Sequence, residues 1–116
     1  MRILSLCLLM LFLFCTPCLA EWNYADTGLL VLRIVDWGQT RTVALNPDNY
    51  RELNPILGQH PDLGEVNAYF SVLILTDILI AEYANPKVHK FWQIIQITPE
   101  LWCVGNNINL KLRCTF

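Results

Sequence analysis

Apolar positions along the chain fall into four stretches, separated by short polar or turn-forming runs. The first follows Met1 and Arg2 and covers residues 3–14, apolar apart from Ser5. Cys15-Thr16-Pro17-Cys18-Leu19-Ala20 comes next, with a helix breaker before small residues. A positive start, an apolar core and a small-x-small site predict a secretory signal over residues 1–20, cut before Glu21. The alternative is an uncleaved anchor, because residues 3–20 number 18 and could just span a bilayer. Neither Cys15 nor Cys18 follows the small residues that lipidation requires, so a lipid anchor is not expected.

The second stretch predicts a helix over residues 27–45, capped by Asp26 or Thr27. Leu29, Leu30, Leu32, Ile34 and Val35 supply its apolar surface. Arg33, Asp36 and Thr40 share one face at helical spacing, with Gln39 beside them. Such a helix crosses a membrane only with that face covered by protein; lying at the interface or packing costs less. Gly38 weakens its middle, and Asn46-Pro47-Asp48 ends it. A turn-rich connector follows, holding Asn54-Pro55-Ile56-Leu57-Gly58-Gln59-His60-Pro61, and a helix restarts near Asp62 or Glu65.

The third stretch, residues 66–84, is the strongest membrane candidate: as a helix it would be about 28 Å long. Asp77 stands in its apolar centre. A carboxylate there costs roughly 2.5–3.5 kcal/mol on insertion scales, so it should face protein, water or a partner charge. The rival reading is a buried core helix with Asp77 at its edge. Asn85-Pro86 then breaks the chain before Lys87, His89 and Lys90, its densest basic cluster.

Residues 91–104 form a second, shorter membrane candidate with aromatic residues near both ends and Pro99 interrupting it. His89, Gln93, Gln96 and Glu100 make a polar stripe along one of its faces. Leu110, Leu112, Cys114 and Phe116 alternate with polar residues, which predicts a short C-terminal strand. The fold expected is all-α: a small helical membrane bundle of an N-terminal signal or anchor helix plus about three helices, residues 21–116 forming one domain.

Composition agrees with that placement. Of 116 residues, 54% are hydrophobic and only 16% charged, against about 25% charged in soluble domains. Eight Lys and Arg stand against ten Asp and Glu with no basic block, which gives nucleic-acid binding no electrostatic support. The positive-inside rule places Lys87 and Lys90 in the cytoplasm and residues 21–65 outside, which in a bacterial inner-membrane protein would be the periplasm. Cys103 and Cys114 would then both lie outside, where a disulfide between them is allowed. A soluble periplasmic location is the alternative.

No nucleotide-binding, hydrolase or metalloprotease motif is present, and C-x10-C without neighbouring His is no zinc signature. No catalytic, cofactor-binding or metal-ligating residue is therefore assigned. The ionisable residues able to converge include Arg33, Asp36, Asp77 and Glu100. The simplest use of them is structural, with Arg33 or another cation neutralising Asp77 and polar stripes holding helices together.

Asp-Trp-Gly-Gln-Thr-Arg (residues 36–41), Asn-Pro-Ile-Leu-Gly-Gln-His-Pro (54–61) and Val-Asn-Ala-Tyr-Phe (66–70) carry a resemblance. The chain resembles a family of small bacterial and phage membrane proteins without an assigned activity, over roughly residues 34–107. The resemblance implies that Asp36, Gln39, Thr40, Arg41, Asn54, Pro55, Gly58, His60 and Pro61 are positions of interest, or the turn and cap framework of the fold. The function expected is that of a small exported membrane protein without enzymatic activity, an envelope component with a protein partner or a second copy. Two alternatives stand beside it: a membrane-embedded enzyme or proton- or ion-handling protein using Asp77, and a soluble periplasmic helical protein.

Overall fold

A computed structural model describes residues 21–116; the signal or anchor expected over 1–20 lies outside the described residues. Three helices follow one another: α1 (Tyr24–Leu45), α2 (Leu63–Tyr83) and α3 (Pro86–Asn109). α1 packs against both others, while α2 and α3 touch little. Cross-links fix the directions. Asp26 meets His89 and Asp36 meets Asn107, so α1 and α3 run parallel; Trp37 meets Asn67, so α2 runs opposite.

Each helix begins where its cap chemistry dictates. α1 starts at Asn23, three residues before the expected cap. Asn23 Oδ1 accepts from Ala25 N at 2.9 Å, and Asp26 Oδ2 reaches back to Asn23 N at 2.8 Å. Asp62 and Glu65 make the same reciprocal box at the start of α2. Asn85-Pro86 opens α3 as well as breaking the chain after α2. Asn85 Oδ1 accepts from Lys87 and Val88 N, and Pro86 sits in the first turn, where its missing N–H costs nothing. α3 also runs through Pro99.

No strand occurs among the described residues, so the C-terminal strand expected from alternation is replaced by a strap. Leu112 N donates to Asn107 O and Lys111 N to Ile108 O, the paired bonds of a Schellman cap, with Lys111 at φ 57. This cap turns the tail back across α1. Leu112 is buried, Thr115 N donates to Gly38 O at 3.0 Å, and the Phe116 ring meets Trp37 edge-on. Gly38 is the docking point: a Cβ there would lie 2.7 Å from Cys114 Cβ and 2.8 Å from the Phe116 ring.

That path keeps the cysteines apart from one another in role. Cys103 and Cys114 are free thiols, and the disulfide allowed by the sequence is not formed. Cys114 Sγ donates to Val35 O at 3.5 Å on α1, whereas Cys103 lines a cavity beneath the connector.

The apolar core is small: Leu29, Val43, Val66, Phe70, Ala81, Ala84, Val104 and Leu112. Phe70 stacks on Trp37 with centroids 6.3 Å apart. α2 is the one helix among the described residues long and apolar enough to cross a membrane, and only 17% of its most apolar stretch is buried.

Candidate functional site

The bundle interior is polar. Arg33 on α1 is 2% exposed and reaches both other helices. Its Nε donates to Asp77 Oδ2 at 2.9 Å, its Nη1 to Glu100 Oε1, and its Nη2 to Gln96 Oε1. Trp92 Nε1 donates to the other Asp77 oxygen at 2.8 Å. Asp77 and Glu100 are 7% and 6% exposed. Helical spacing explains the convergence. Gln93, Gln96 and Glu100 recur at three- and four-residue steps on α3, so one face points at α1 throughout.

Asp36, one turn beyond Arg33, accepts from Asn107 Nδ2 at 3.1 Å. Buried groups therefore include three carboxylates, Asp36, Asp77 and Glu100, around a single guanidinium. Glu100 Oε2 has no hydrogen-bond partner, and neither does Gln39 Oε1. Unpaired buried acceptors are rare, because each forgoes hydration worth about 1–3 kcal/mol.

A second polar cluster closes the far end of the bundle. His89 Nε2 donates to Asp26 Oδ1 at 2.6 Å, and Gln93 Nε2 donates to the same oxygen at 2.9 Å. Asp26 thus serves both the α1 cap and the α1–α3 contact. A third set lies toward the connector. Arg41 donates to Asn67 Oδ1 and to Thr115 O at 2.8 Å, and Trp37 Nε1 donates to the same Asn67 oxygen at 3.0 Å.

The expected residues thus separate into groups. Arg33, Asp77 and Glu100 meet directly, with Asp36 adjoining. Gln39 and Thr40 are buried along the same helix, while Arg41 ties down the tail. Asn54, Pro55 and Gly58 belong to the connector. Asn54 Oδ1 accepts from Ile56 N, Gly58 N donates to Asn54 O, and Gly58 takes φ 76, so this segment is a turn framework. Asn54 Nδ2 also donates to Tyr69 Oη at 2.8 Å, which seats the connector on α2. His60 is exposed at the connector end, while His89 is buried at the other. Trp92, Asn67 and Asn107 join the interior as hydrogen-bond partners, a role the sequence did not assign to them. An uncharged side chain in an apolar helix gives no signal until its partner is known.

Between α1, α3 and the connector lies a cavity of about 540 Å³. Asp36, Glu100, Glu52 and Tyr69 supply polar wall, and Val43, Leu57 and Phe70 are among its apolar residues. No group of three or more His, Cys, Asp and Glu able to hold a metal occurs among the described residues. No protein-family model, curated protein or solved structure matches the chain.

Proposed function

We propose that the protein is a small, non-enzymatic integral membrane component of the cell envelope, with all three helices crossing the bilayer and acting through a protein partner or a second copy. One observation carries this reading: the chain is arranged with charge inside and apolar residues outside. Residues 27–40 of α1, 66–81 of α2 and 91–109 of α3 expose no charged side chain, because Arg33, Asp36, Asp77 and Glu100 are all buried. Val31, Ile34, Val72, Leu75, Ile94 and Leu101 face outward. Patches beyond a few hundred Å² on a monomer mark a membrane or a partner.

Composition understates α1 and α3 as spans, since their polar residues point at each other. The helices hold 22, 21 and 24 residues, about 32–36 Å at 1.5 Å per residue, against a hydrocarbon core of about 30 Å. Exposed Trp22, Tyr24, Tyr83 and Phe91 ring one end, as interfacial aromatics do.

Three spans revise the expected topology. The two ends of α1 then lie on opposite sides, so residues 21–65 are not all periplasmic. The connector end carries Arg41, Arg51, Lys111 and Arg113, against Lys87 and Lys90 at the other. Positive charge therefore favours the connector and tail in the cytoplasm. An exporting segment over residues 1–20 leads to the same orientation.

Carbonate extraction together with reporter fusions after Gly64, after Lys90 and at Phe116 tests the proposal. The expected result is retention in the membrane pellet with inside, outside and inside readings. Three outside readings with release by carbonate would make the chain a soluble exported protein. Outside, inside, outside would take α1 out of the membrane and overturn the three-span arrangement.

A further inference from the structure

We propose that the cavity beneath the connector binds a small organic cation, an ammonium or amidinium group on an apolar body, with its charged head at Asp36 and Glu100. The volume, about 540 Å³, falls in the range of small-molecule sites, roughly 300–1,000 Å³. The wall has the composition of such a site: Val43, Leu57, Phe70 and Leu110 for an apolar body, and a few convergent acceptors for a head.

Charge decides which head. Arg33 is spent on Asp77, on Glu100 Oε1 and on Gln96, which leaves Glu100 Oε2 without a partner. Glu100 is 6% exposed and Asp36 9%, and both line the cavity. Asp36 accepts a hydrogen bond from the neutral Asn107, and no cation among the described residues donates to it. Buried carboxylates without a matching cation are costly, and a donor head entering here would meet acceptors already desolvated and held in place. Glu52 reinforces the negative wall from the connector, while Arg51, also lining the cavity, is exposed and so screened.

A bare metal ion fits less well than an organic cation. No three-ligand group exists among the described residues, and the space far exceeds one ion. A neutral apolar guest would leave the orphaned oxygen as it is.

The proposal does not rest on the membrane topology, and its test uses the full chain purified in detergent. Trp102 lines the cavity, so tryptophan fluorescence can report occupancy. Phenethylammonium and benzamidinium are titrated beside 2-phenylethanol, a neutral molecule of similar shape to the first. Saturable binding of either cation, at least tenfold tighter than 2-phenylethanol, is expected. Asp36→Asn should weaken it tenfold or more, and Leu57→Trp, which fills the cavity, should abolish it. Ser71→Ala, on the outer face of α2, should leave it unchanged. Equal affinity for cation and alcohol, absence of saturable binding, or binding untouched by Leu57→Trp would overturn the proposal. If Asp36→Asn does not fold, the comparison of cation with alcohol on the unaltered protein still decides.

Discussion

Arg33 donates to Asp77 across 44 residues of sequence, with both side chains more than nine-tenths buried. Asp77 thereby loses the isolation that makes a carboxylate in an apolar helix suspicious. Its partner sits on the neighbouring helix, and the same guanidinium also engages Glu100.

Removing the cation should be worse than removing one of its acids. Arg33→Met leaves Asp77 and Glu100 buried without a counter-charge and should cost about 3–5 kcal/mol of stability. Asp77→Asn keeps an acceptor for Arg33 and should cost less than half as much. Unfolding in detergent, monitored by circular dichroism, measures both. Normal stability of Asp77→Asn together with a lost cellular phenotype would instead give Asp77 a role beyond holding α1 to α2.

Gly38→Ala should unseat the tail. The new methyl would stand 2.7 Å from Cys114 Cβ, and overpacking of this kind costs about 1–3 kcal/mol. Faster tryptic cleavage at Lys111 and Arg113, with the rate at Lys87 and Lys90 in the first turns of α3 unchanged, is the expected result.

Lys111 holds φ 57 at the Schellman cap, where a side chain is strained and glycine is not. Lys111→Gly should therefore stabilise the protein by about 1 kcal/mol. A rise in the midpoint of the same unfolding curve checks this.

Cys114 is exposed on the connector side. A membrane-impermeant maleimide should label it in inverted vesicles and not in intact cells, and Cys114→Ser should remove most of that label. Labelling in intact cells would reverse the proposed orientation.

The interior was legible in the sequence because its spacing is local. Arg33, Asp36 and Thr40 announce one face of α1, and His89, Gln93, Gln96 and Glu100 announce one face of α3. The sequence offers Arg33 as one cation for Asp77, but periodicity does not supply Glu100, Gln96 and Trp92 as the further partners. Which carboxylate Arg33 takes depends on helix direction and register, and those are settled by contacts tens of residues apart. Local rules with two outcomes also misled. Asn85-Pro86 ends a helix or begins one, and here Asn85 Oδ1 takes the first free N–H groups of α3. Alternation over residues 109–116 suits a strand, but the tail has no strand to pair with and instead bonds to the α1 backbone at Gly38. Gly38 itself reads as a weak helix residue until Phe116 is seen against it.

The position of Arg33 on the first of the three helices also orders events at the ribosome. The guanidinium is synthesised before Asp77 and Glu100, and chains begin folding from the N-terminal side. Until they emerge, the acid within reach is Asp36, one turn away on the same helix face, where a carboxylate and a guanidinium three residues apart can pair. The nascent α1 is thus not obliged to carry a naked cation while it waits. In the folded chain Arg33 pairs with Asp77 on α2 and Glu100 on α3, while Asp36 accepts from Asn107. The helix made last therefore carries the second acid that Arg33 needs.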